Sequence, residues 1–229
     1  MPHNTRLPNI KACLFDAYGT LFDVHAAAAA TAERIGARWQ AFSRHWRERQ
    51  LQYSWIRSLT GRHVDFWQVT CDALDHALDA FELDAKVHRE PLLASYRCLD
   101  AYPDARSSVK QLLEANLPCG ILSNGSREML ANAIKAAGID DLIEPVISVE
   151  KIGKYKPSPE VYKMATEQLD LLPRQILFIS SNGWDAYSAK AFGFNVAWCN
   201  RANQPPERLP DRPDWVINSL DELPSLIVA

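Results

Sequence analysis

An uninterrupted apolar run followed by a single carboxylate stands near the start of the chain. Ala12 to Phe15 are uniformly apolar, which predicts a strand covered on both faces in a parallel sheet. Asp16 ends this run, and Gly19 and Thr20 follow in a predicted turn. Because ligands of open α/β folds bind beyond the carboxyl ends of the strands, the pattern places Asp16 at a crevice rather than in a core.

The next seventy or so residues, 24 to 98, have apolar positions at helical spacing and almost no β-branched run. Four helices are predicted there, over residues 26–35, 39–59, 66–81 and 87–97. In the second of them Arg47, Leu51 and Trp55 recur every four residues, so a guanidinium lies on an otherwise apolar stripe.

A guanidinium that faces a buried site or a cleft requires an anionic partner. On these grounds Arg47 is a candidate binding residue. The alternative is that Arg47 pairs with Glu48 or Glu33, or extends along the surface from the edge of the helix.

From Tyr102 onward, strand and helix patterns alternate, which is typical of βαβ units in a parallel sheet. Strands are predicted over residues 118–122, 145–148, 175–179, 195–199 and 215–217. Helices are predicted over residues 107–115, 127–137 and 160–169, with a last one ending at residue 192. The predicted fold is therefore α/β, a Rossmann-like parallel sheet core with an inserted four-helix cap domain. We assign residues 1–22 plus 100–229 to the core domain and residues 23–99 to the helical cap domain.

Composition and charge narrow the classes of function. The chain has 229 residues, of which 47% are hydrophobic, so it is long enough to bury a large core. Lys plus Arg total 25 against 28 for Asp plus Glu, and no basic tract exceeds two or three neighbours, which disfavours a nucleic-acid partner. The N-terminal stretch has no apolar segment typical of a signal peptide, and no run approaches 18 apolar residues. We expect a cytoplasmic protein with no membrane partner.

The five cysteines form no C-x-x-C pair and fall mostly inside apolar runs. This pattern predicts reduced, buried thiols rather than a disulfide or zinc framework. The residues concerned are Cys13, Cys71, Cys98, Cys119 and Cys199.

Polar residues stand just past four of the predicted strands or at the helix starts beside them. The sets are Asp16 with Thr20, Ser123 with Asn124, Lys156, and Ser180 through Asp185. One Asp before a turn is usually a cap, and one Ser-Asn-Gly is usually a turn, but four such ends in this order are not explained by turn chemistry. The order resembles the four motifs of the haloacid dehalogenase superfamily, from residue 11 to about residue 192.

Two positions depart from the phosphatases of that superfamily. Those enzymes carry a second Asp two residues after the nucleophile, where this chain has Tyr18. They also carry a carboxylate before the last motif Asp, where this chain has Ser181. Only Asp16 and Asp185 remain as carboxylate ligands for Mg²⁺, which prefers carboxylates and phosphate oxygens. No metal and no other cofactor is therefore expected.

A closer resemblance is to the L-2-haloacid dehalogenases. The blocks that match that family in order are FDAYGTLFDV, WRERQLQYSWIRSL, AYPDA, ILSNG, YKPSPEVY and SSNGWD. The resemblance implies hydrolytic dehalogenation of short-chain L-2-haloacids to D-2-hydroxyacids with inversion, through an ester intermediate on Asp16. Halide leaves without needing a proton, which is why Tyr18 can replace the acid. The resemblance also implies a homodimer that pairs through the cap, with a 2-haloacid and halide as its small-molecule ligands.

The same resemblance implies a role for each matching residue. Asp16 would be the nucleophile, kept ionised and oriented by Lys156. Arg47, Asn124 and Trp184 would bind the halide, while Ser123 and backbone amides near Tyr18 and Asn124 would bind the substrate carboxylate. The residues that would support Asp16, Lys156 and the hydrolytic water are Thr20, Tyr162, Ser180, Asn182 and Asp185. Those that would form an apolar wall are Tyr18, Leu51, Phe66 and Trp184.

Two other functions compete with this one. The first is a Mg²⁺-dependent phosphatase for a small phosphate ester, which Tyr18 and Ser181 disfavour. The second is a catalytically silent member that binds a ligand or assembles with other proteins. That reading is disfavoured because a scaffold has no physical need of several polar groups at one crevice. The groups concerned are Asp16, Ser123, Lys156 and Asp185.

Glu48 departs from the dehalogenase pattern, in which Gln usually follows the cap arginine. A carboxylate at the mouth of the site would repel an anionic substrate or pair with Arg47. It has neither effect if the side chain faces solvent, since adjacent helix positions point in different directions.

Overall fold

A parallel sheet of six strands runs through the computed structural model, which describes residues 9–227. The strands are β1 (Ala12–Phe15), β2 (Cys119–Ser123), β3 (Val146–Ser148), β4 (Ile176–Ser180), β5 (Asn195–Cys199) and β6 (Trp215–Ile217). They lie in the order β3-β2-β1-β4-β5-β6, and every neighbouring pair is parallel. The predicted α/β parallel sheet is confirmed.

Ten helices connect and cover these strands in the described part of the chain. Between β1 and β2 lie α1 (Ala26–Ala29), α2 (Ala32–Ile35), α3 (Trp39–Leu59), α4 (Phe66–Ala80), α5 (Ala85–Arg97) and α6 (Ala105–Glu114). Later in the chain come α7 (Arg127–Ala136), α8 (Pro159–Leu169), α9 (Gly183–Phe192) and α10 (Leu223–Ile227).

The position of β1 explains where the site forms. All four residues of β1 are buried, and its neighbours are β2 on one side and β4 on the other. The chain builds outward from β1 through β2 to β3, then returns to start again at β4. Ligand crevices of open α/β sheets form where the strand order reverses in this way. Asp16 follows β1 directly and so lies at that crevice.

Helices α1, α3, α4 and α5 pack mainly against one another, with α3 against α4 as the largest contact. Trp46 of α3 donates a hydrogen bond from its indole Nε1 to the carbonyl of Thr70 in α4, at 3.0 Å. Asp65 caps the N-terminus of α4 by accepting from the backbone N–H of Gln68 at 2.8 Å. The first contact joins α3 to α4, and the second stabilises the start of α4.

The prediction of one continuous helix over residues 26–35 is wrong. The chain instead forms the two short helices α1 and α2, separated at Ala30 and Thr31. Thr31 leaves the helical conformation, with φ −113° and ψ 14°, and its hydroxyl donates to the carbonyls of Ala27 and Ala28. A threonine hydroxyl competes with the helix for these carbonyls, and this competition outweighs the propensity of the alanines. Five helices therefore take the place of the four predicted there.

Other differences are smaller. Helix α5 begins two residues before the predicted start, because Asp84 caps it by accepting from the N–H of Lys86 at 2.9 Å. Cys98 is exposed, contrary to the expectation of buried thiols, whereas the other four cysteines are buried. Within residues 9–227, no helix is both long and apolar enough to cross a bilayer.

Candidate active site

A small cavity lies beyond the carboxyl ends of β1 and β2, where α3 and α4 cover it. Its free volume is about 10 Å³, close to the room that one water molecule needs. The residues that line it are Asp16, Tyr18, Arg47, Leu51, Phe66, Ser123, Asn124, Lys156 and Trp184. All nine are among the candidate residues named from the sequence, which came from six separate stretches of the chain. The structure therefore brings the predicted binding residues together around one small cavity.

The Asp16 carboxylate is held by different donors on its two oxygens. Oδ2 accepts from Asn182 Nδ2 at 2.7 Å and from the Thr20 hydroxyl at 3.2 Å. Oδ1 accepts from Lys156 Nζ at 2.8 Å. The carboxylate is thus fixed in orientation, and Oδ1 has one hydrogen bond where Oδ2 has at least two.

Lys156 lies between two carboxylates and is only 1% exposed. In addition to Asp16, its Nζ donates to Asp185 Oδ2 at 2.6 Å and to the carbonyl of Leu122 at 3.1 Å. These contacts use all three N–H donors of the ammonium group. Burial by itself would lower the pKa of Lys156, but the carboxylates of Asp16 and Asp185 outweigh it and raise that pKa above its ordinary value.

Asp185 is fully buried and does not line the cavity. Its Oδ1 accepts from the Tyr162 hydroxyl at 2.7 Å, and its Oδ2 also accepts from the Ser180 hydroxyl at 3.2 Å. Burial and the nearby carboxylate raise the pKa of Tyr162 well above its ordinary value, so the phenol stays protonated and donates. The supporting residues named from the sequence form this layer behind the cavity wall: Thr20, Tyr162, Ser180, Asn182 and Asp185.

Arg47 has no carboxylate partner within ion-pair distance among residues 9–227. Its guanidinium donates to neutral acceptors: Gln50 Oε1 at 2.6 Å, the Tyr18 carbonyl at 3.3 Å and Asn182 Oδ1 at 3.5 Å. Glu48 and Glu33 are both exposed, so the predicted alternative pairing does not form. A half-buried cation that the protein leaves uncompensated is a binding site for an anion.

Two further side chains keep donors available at the cavity. Asn124 Oδ1 accepts from the backbone N–H of Lys156 at 2.8 Å, which leaves its Nδ2 hydrogens without a partner in the described structure. Ser123 Oγ accepts from the N–H of Gly125 at 3.1 Å, and this leaves its own hydroxyl hydrogen uncommitted. Gly125 is required beside them, because a Cβ there would lie 2.6 Å from the Tyr18 ring.

Comparison with known proteins identifies the family. A family model described as haloacid dehalogenase-like hydrolase matches residues 10–193. The (S)-2-haloacid dehalogenase 1 of Pseudomonas sp. (strain CBS-3) is 46% identical over 220 residues, which cover 96% of this chain and 97% of that protein. The chain belongs to the (S)-2-haloacid dehalogenases.

Solved structures of this family have the same architecture. The crystal structure of a dehalogenase that is 42% identical aligns with a TM-score of 0.94 and covers 96% of this chain and 98% of that one. The L-2-haloacid dehalogenase of Xanthobacter autotrophicus, solved with chloropropionic acid covalently bound, is 37% identical. It aligns with a TM-score of 0.87 over 95% of this chain and 98% of that one.

In this (S)-2-haloacid dehalogenase, the side chains beyond the carboxyl ends of the strands do not form a suitable set of ligands for Mg²⁺. Within the described part of the chain, no group of three His, Cys, Asp or Glu side chains converges on one point. The ammonium of Lys156 lies between Asp16 and Asp185 and donates to both, so a cationic group of the protein already occupies the place between these carboxylates. Ser181 offers a hydroxyl where a third carboxylate would be needed.

One group of site residues was missed from the sequence. Behind Arg47, the side-chain amide of Gln50 accepts from the guanidinium and donates from Nε2 to the hydroxyls of Thr70 at 2.7 Å and Tyr96 at 3.1 Å. All three of these residues are buried. The three-residue spacing of Arg47 and Gln50 on α3 was a usable signal, since such pairs meet on one helix face. No signal in the sequence linked Thr70 and Tyr96 to Gln50, because these two residues lie on other helices, α4 and α5.

Proposed function

We propose that this dehalogenase hydrolyses short-chain L-2-haloacids to D-2-hydroxyacids with inversion at Cα, through an ester on Asp16. One observation carries the proposal. A carboxylate fixed by Lys156 and a guanidinium with no carboxylate partner among residues 9–227 both line the small cavity beyond the carboxyl ends of β1 and β2. That arrangement suits a reaction in which a carboxylate attacks and an anion departs.

In the first step Asp16 Oδ1, the oxygen with fewer hydrogen bonds, attacks Cα in line with the carbon–halogen bond. The electron pair of that bond leaves with the halide, which needs no proton. Arg47, Asn124 and Trp184 bind the departing halide, and Arg47 supplies the positive charge. Trp184 Nε1 is buried without a hydrogen-bond partner in residues 9–227, as a donor to such an anion would be. In-line displacement inverts the configuration at Cα.

The substrate carboxylate is bound by Ser123 and by backbone amides near Tyr18 and Asn124. Leu51 and Phe66 form the apolar wall together with the rings of Tyr18 and Trp184. This wall keeps bulk water away from the charged groups, and exclusion of water strengthens the electrostatic contacts inside.

In the second step water attacks Cγ of Asp16. Negative charge then develops on Oδ2, the oxygen that already accepts hydrogen bonds from Asn182 and Thr20. The bond between Cγ and Oδ1 breaks next to the Lys156 ammonium, and Oδ1 takes one proton of the attacking water to leave as the hydroxyl of the product. The other proton of that water is released to solvent as the Asp16 carboxylate forms again. Because this step does not touch Cα, the configuration is not inverted a second time.

We infer that residues 23–99 act as the cap and residues 1–22 plus 100–229 as the catalytic core. The packing of α1, α3, α4 and α5 on one another supports this division, as does the position of Arg47 and Leu51 on α3. A small movement of α3 away from the carboxyl ends of the strands would admit substrate.

A cytoplasmic homodimer is also part of the proposal. The side of α3 opposite Arg47 carries Ile56, which is 55% exposed, and it is the surface we assign to pairing through the cap. Five unpaired thiols, four of them buried, suit a reducing compartment. Analytical ultracentrifugation of the wild type and of Ile56→Lys tests the pairing, with dimer and monomer as the expected species.

Halide release from the two enantiomers of 2-chloropropionate tests the reaction. We expect turnover of the (S) enantiomer, formation of D-lactate and loss of activity in Asp16→Asn. A phosphate monoester assayed with Mg²⁺ serves as the comparison substrate. Phosphate release without any halide release would contradict the proposal and favour the phosphatase.

A further inference from the structure

A second and much larger cavity lies directly outside the catalytic one, and the reaction described above does not use it. We call it the outer pocket. Its volume is about 640 Å³, against about 10 Å³ for the catalytic cavity. The apolar side chains that line it include Trp55, Leu59, Tyr155, Pro159, Trp184 and Leu209.

The two cavities share one helix face and one side chain. Arg47 and Leu51 of α3 line the catalytic cavity, and Trp55 and Leu59 continue the same four-residue spacing into the outer pocket. Trp184 lines both. The outer pocket is therefore the continuation of the catalytic cavity along α3.

Side chains form the wall between the cavities. The rings of Trp55 and Trp184 meet edge to face, with centroids 5.4 Å apart. Both indole Nε1 atoms are buried and have no hydrogen-bond partner in the described residues, so no polar contact fixes the pair in place. Rotation of such side chains is fast compared with movement of backbone.

We propose that the outer pocket binds the alkyl tail of 2-haloalkanoates longer than propionate, with the Trp55 side chain turning away from Trp184 to let the tail through. The inference rests on the proposed function and extends its substrate class. The outer pocket offers about 640 Å³, and apolar surface of the tail that is buried there stabilises the complex in proportion to its area.

Charge fixes the direction in which such a substrate lies. Among residues 9–227, Lys154 is the only charged residue that lines the outer pocket, and it is paired with Glu160. The uncompensated cation, Arg47, is in the catalytic cavity. The carboxylate and the halogen therefore stay inside, and the tail extends outward.

The test compares kcat/KM for 2-bromohexanoate with that for 2-bromopropionate, two substrates with the same leaving group. In Leu209→Asp we expect the hexanoate-to-propionate ratio to fall by about tenfold, equivalent to about 1.4 kcal/mol. A hydrated carboxylate in the pocket makes burial of an apolar tail less favourable. Leu172→Asp is the matched control, since Leu172 is 48% exposed, Leu209 is 45% exposed, and Leu172 lines neither cavity. The control ratio should equal that of the wild type. In Trp55→Ala, which widens the opening, the ratio should rise.

The outcomes separate this inference from the proposed function. If the wild type releases no halide from 2-bromopropionate, the proposed function fails and the tail site with it. If it turns over 2-bromopropionate, and neither Leu209→Asp nor Trp55→Ala shifts the ratio relative to Leu172→Asp, only the tail site is overturned. A change from dimer to monomer in Leu209→Asp with an unchanged ratio would overturn it too, by assigning the pocket to contact between copies.

Discussion

Lys156 Nζ lies 2.8 Å from Asp16 Oδ1, and both side chains are buried, so the carboxylate and its counter-charge meet without solvent between them. Asp185 binds the same ammonium from the other side, at 2.6 Å. Two carboxylates and one ammonium share a dry site, and each group depends on the others for compensation.

Lys156→Met should lower the free energy of unfolding by about 3–5 kcal/mol at pH 7, because Asp16 and Asp185 would then face each other without a cation. The folded-state pKa of Lys156 is raised. Its stabilising contribution is therefore fully present below the unfolded pKa of about 10.4 and is lost only as pH rises through the higher folded pKa. Urea unfolding of the wild type and of Lys156→Met should give a difference in the free energy of unfolding that stays constant from about pH 6 to 9. A difference that disappears by about pH 8 would contradict a raised pKa.

Arg47→Ala should raise the barrier by about 3 kcal/mol or more, since one preorganised donor and its charge are removed from the departing halide. Arg47→Lys should restore only part of the rate, because a point charge lacks the planar fork of the guanidinium. Steady-state halide release measures both. The exposed Arg44 on the same helix gives the control, Arg44→Ala, which should behave as the wild type. Wild-type turnover by Arg47→Ala would mean that this arginine only covers surface.

Gln50→Leu should raise the barrier by about 1–2 kcal/mol, because Arg47 loses a fixed acceptor and the hydroxyls of Thr70 and Tyr96 lose the amide that donates to them. Gln50 positions Arg47 rather than touching substrate, so we expect kcat to fall while KM changes little. Gln50→Glu should instead raise KM, because a carboxylate beside Arg47 competes with the anionic substrate. Gln52→Leu, at an exposed position two residues further along α3, is the control. Equal kinetics for Gln50→Leu and Gln52→Leu would remove the positioning role.

Chelation should leave activity intact. The place between Asp16 and Asp185 is taken by Lys156, and the carboxylates that phosphatases carry in addition are replaced by Tyr18 and Ser181. Halide release measured before and after dialysis against EDTA should agree. Activity that collapses under chelation and returns with Mg²⁺ would count against the reaction proposed for this site.

Isotope position should identify the nucleophile. In a single turnover in ¹⁸O-water with excess enzyme, the label should enter the Asp16 carboxylate, because water attacks Cγ, and the hydroxyacid should be unlabelled. Direct attack of an activated water on Cα also inverts the centre, so stereochemistry does not separate the two routes. Mass spectrometry of the peptide that contains Asp16 does. Label in the product hydroxyl, with unlabelled Asp16, would exclude the ester while leaving dehalogenation in place.

The sequence alone determined the sheet and the membership of the site. In a parallel sheet, an apolar run that ends in Asp16 is a buried strand with this carboxylate at its carboxyl end. The carboxyl ends of parallel strands lie on the same side of the sheet, so residues from distant stretches meet there. That is why most residues lining the catalytic cavity could be named in advance from motifs at strand ends and from one stripe on α3, whereas Tyr18 and Phe66 were named from the resemblance to the dehalogenase family. Helix 26–35 was mispredicted because alanine propensity is visible locally, whereas the hydroxyl of Thr31 acts through two particular carbonyls.

Only the tertiary structure decided what each residue touches. The contact of Arg47 with Asn182 joins positions 135 residues apart. It depends on how α3 packs over the carboxyl ends of the strands, and the local spacing of apolar residues carries no information about that packing. The packing of α3 on α4 and α5 placed Gln50 against Thr70 and Tyr96 and left Glu48 in solvent. The outer pocket forms where α3 lies beside Trp184. Periodicity fixes the face of a helix on which a side chain lies, but the partner of that face is set by long-range packing.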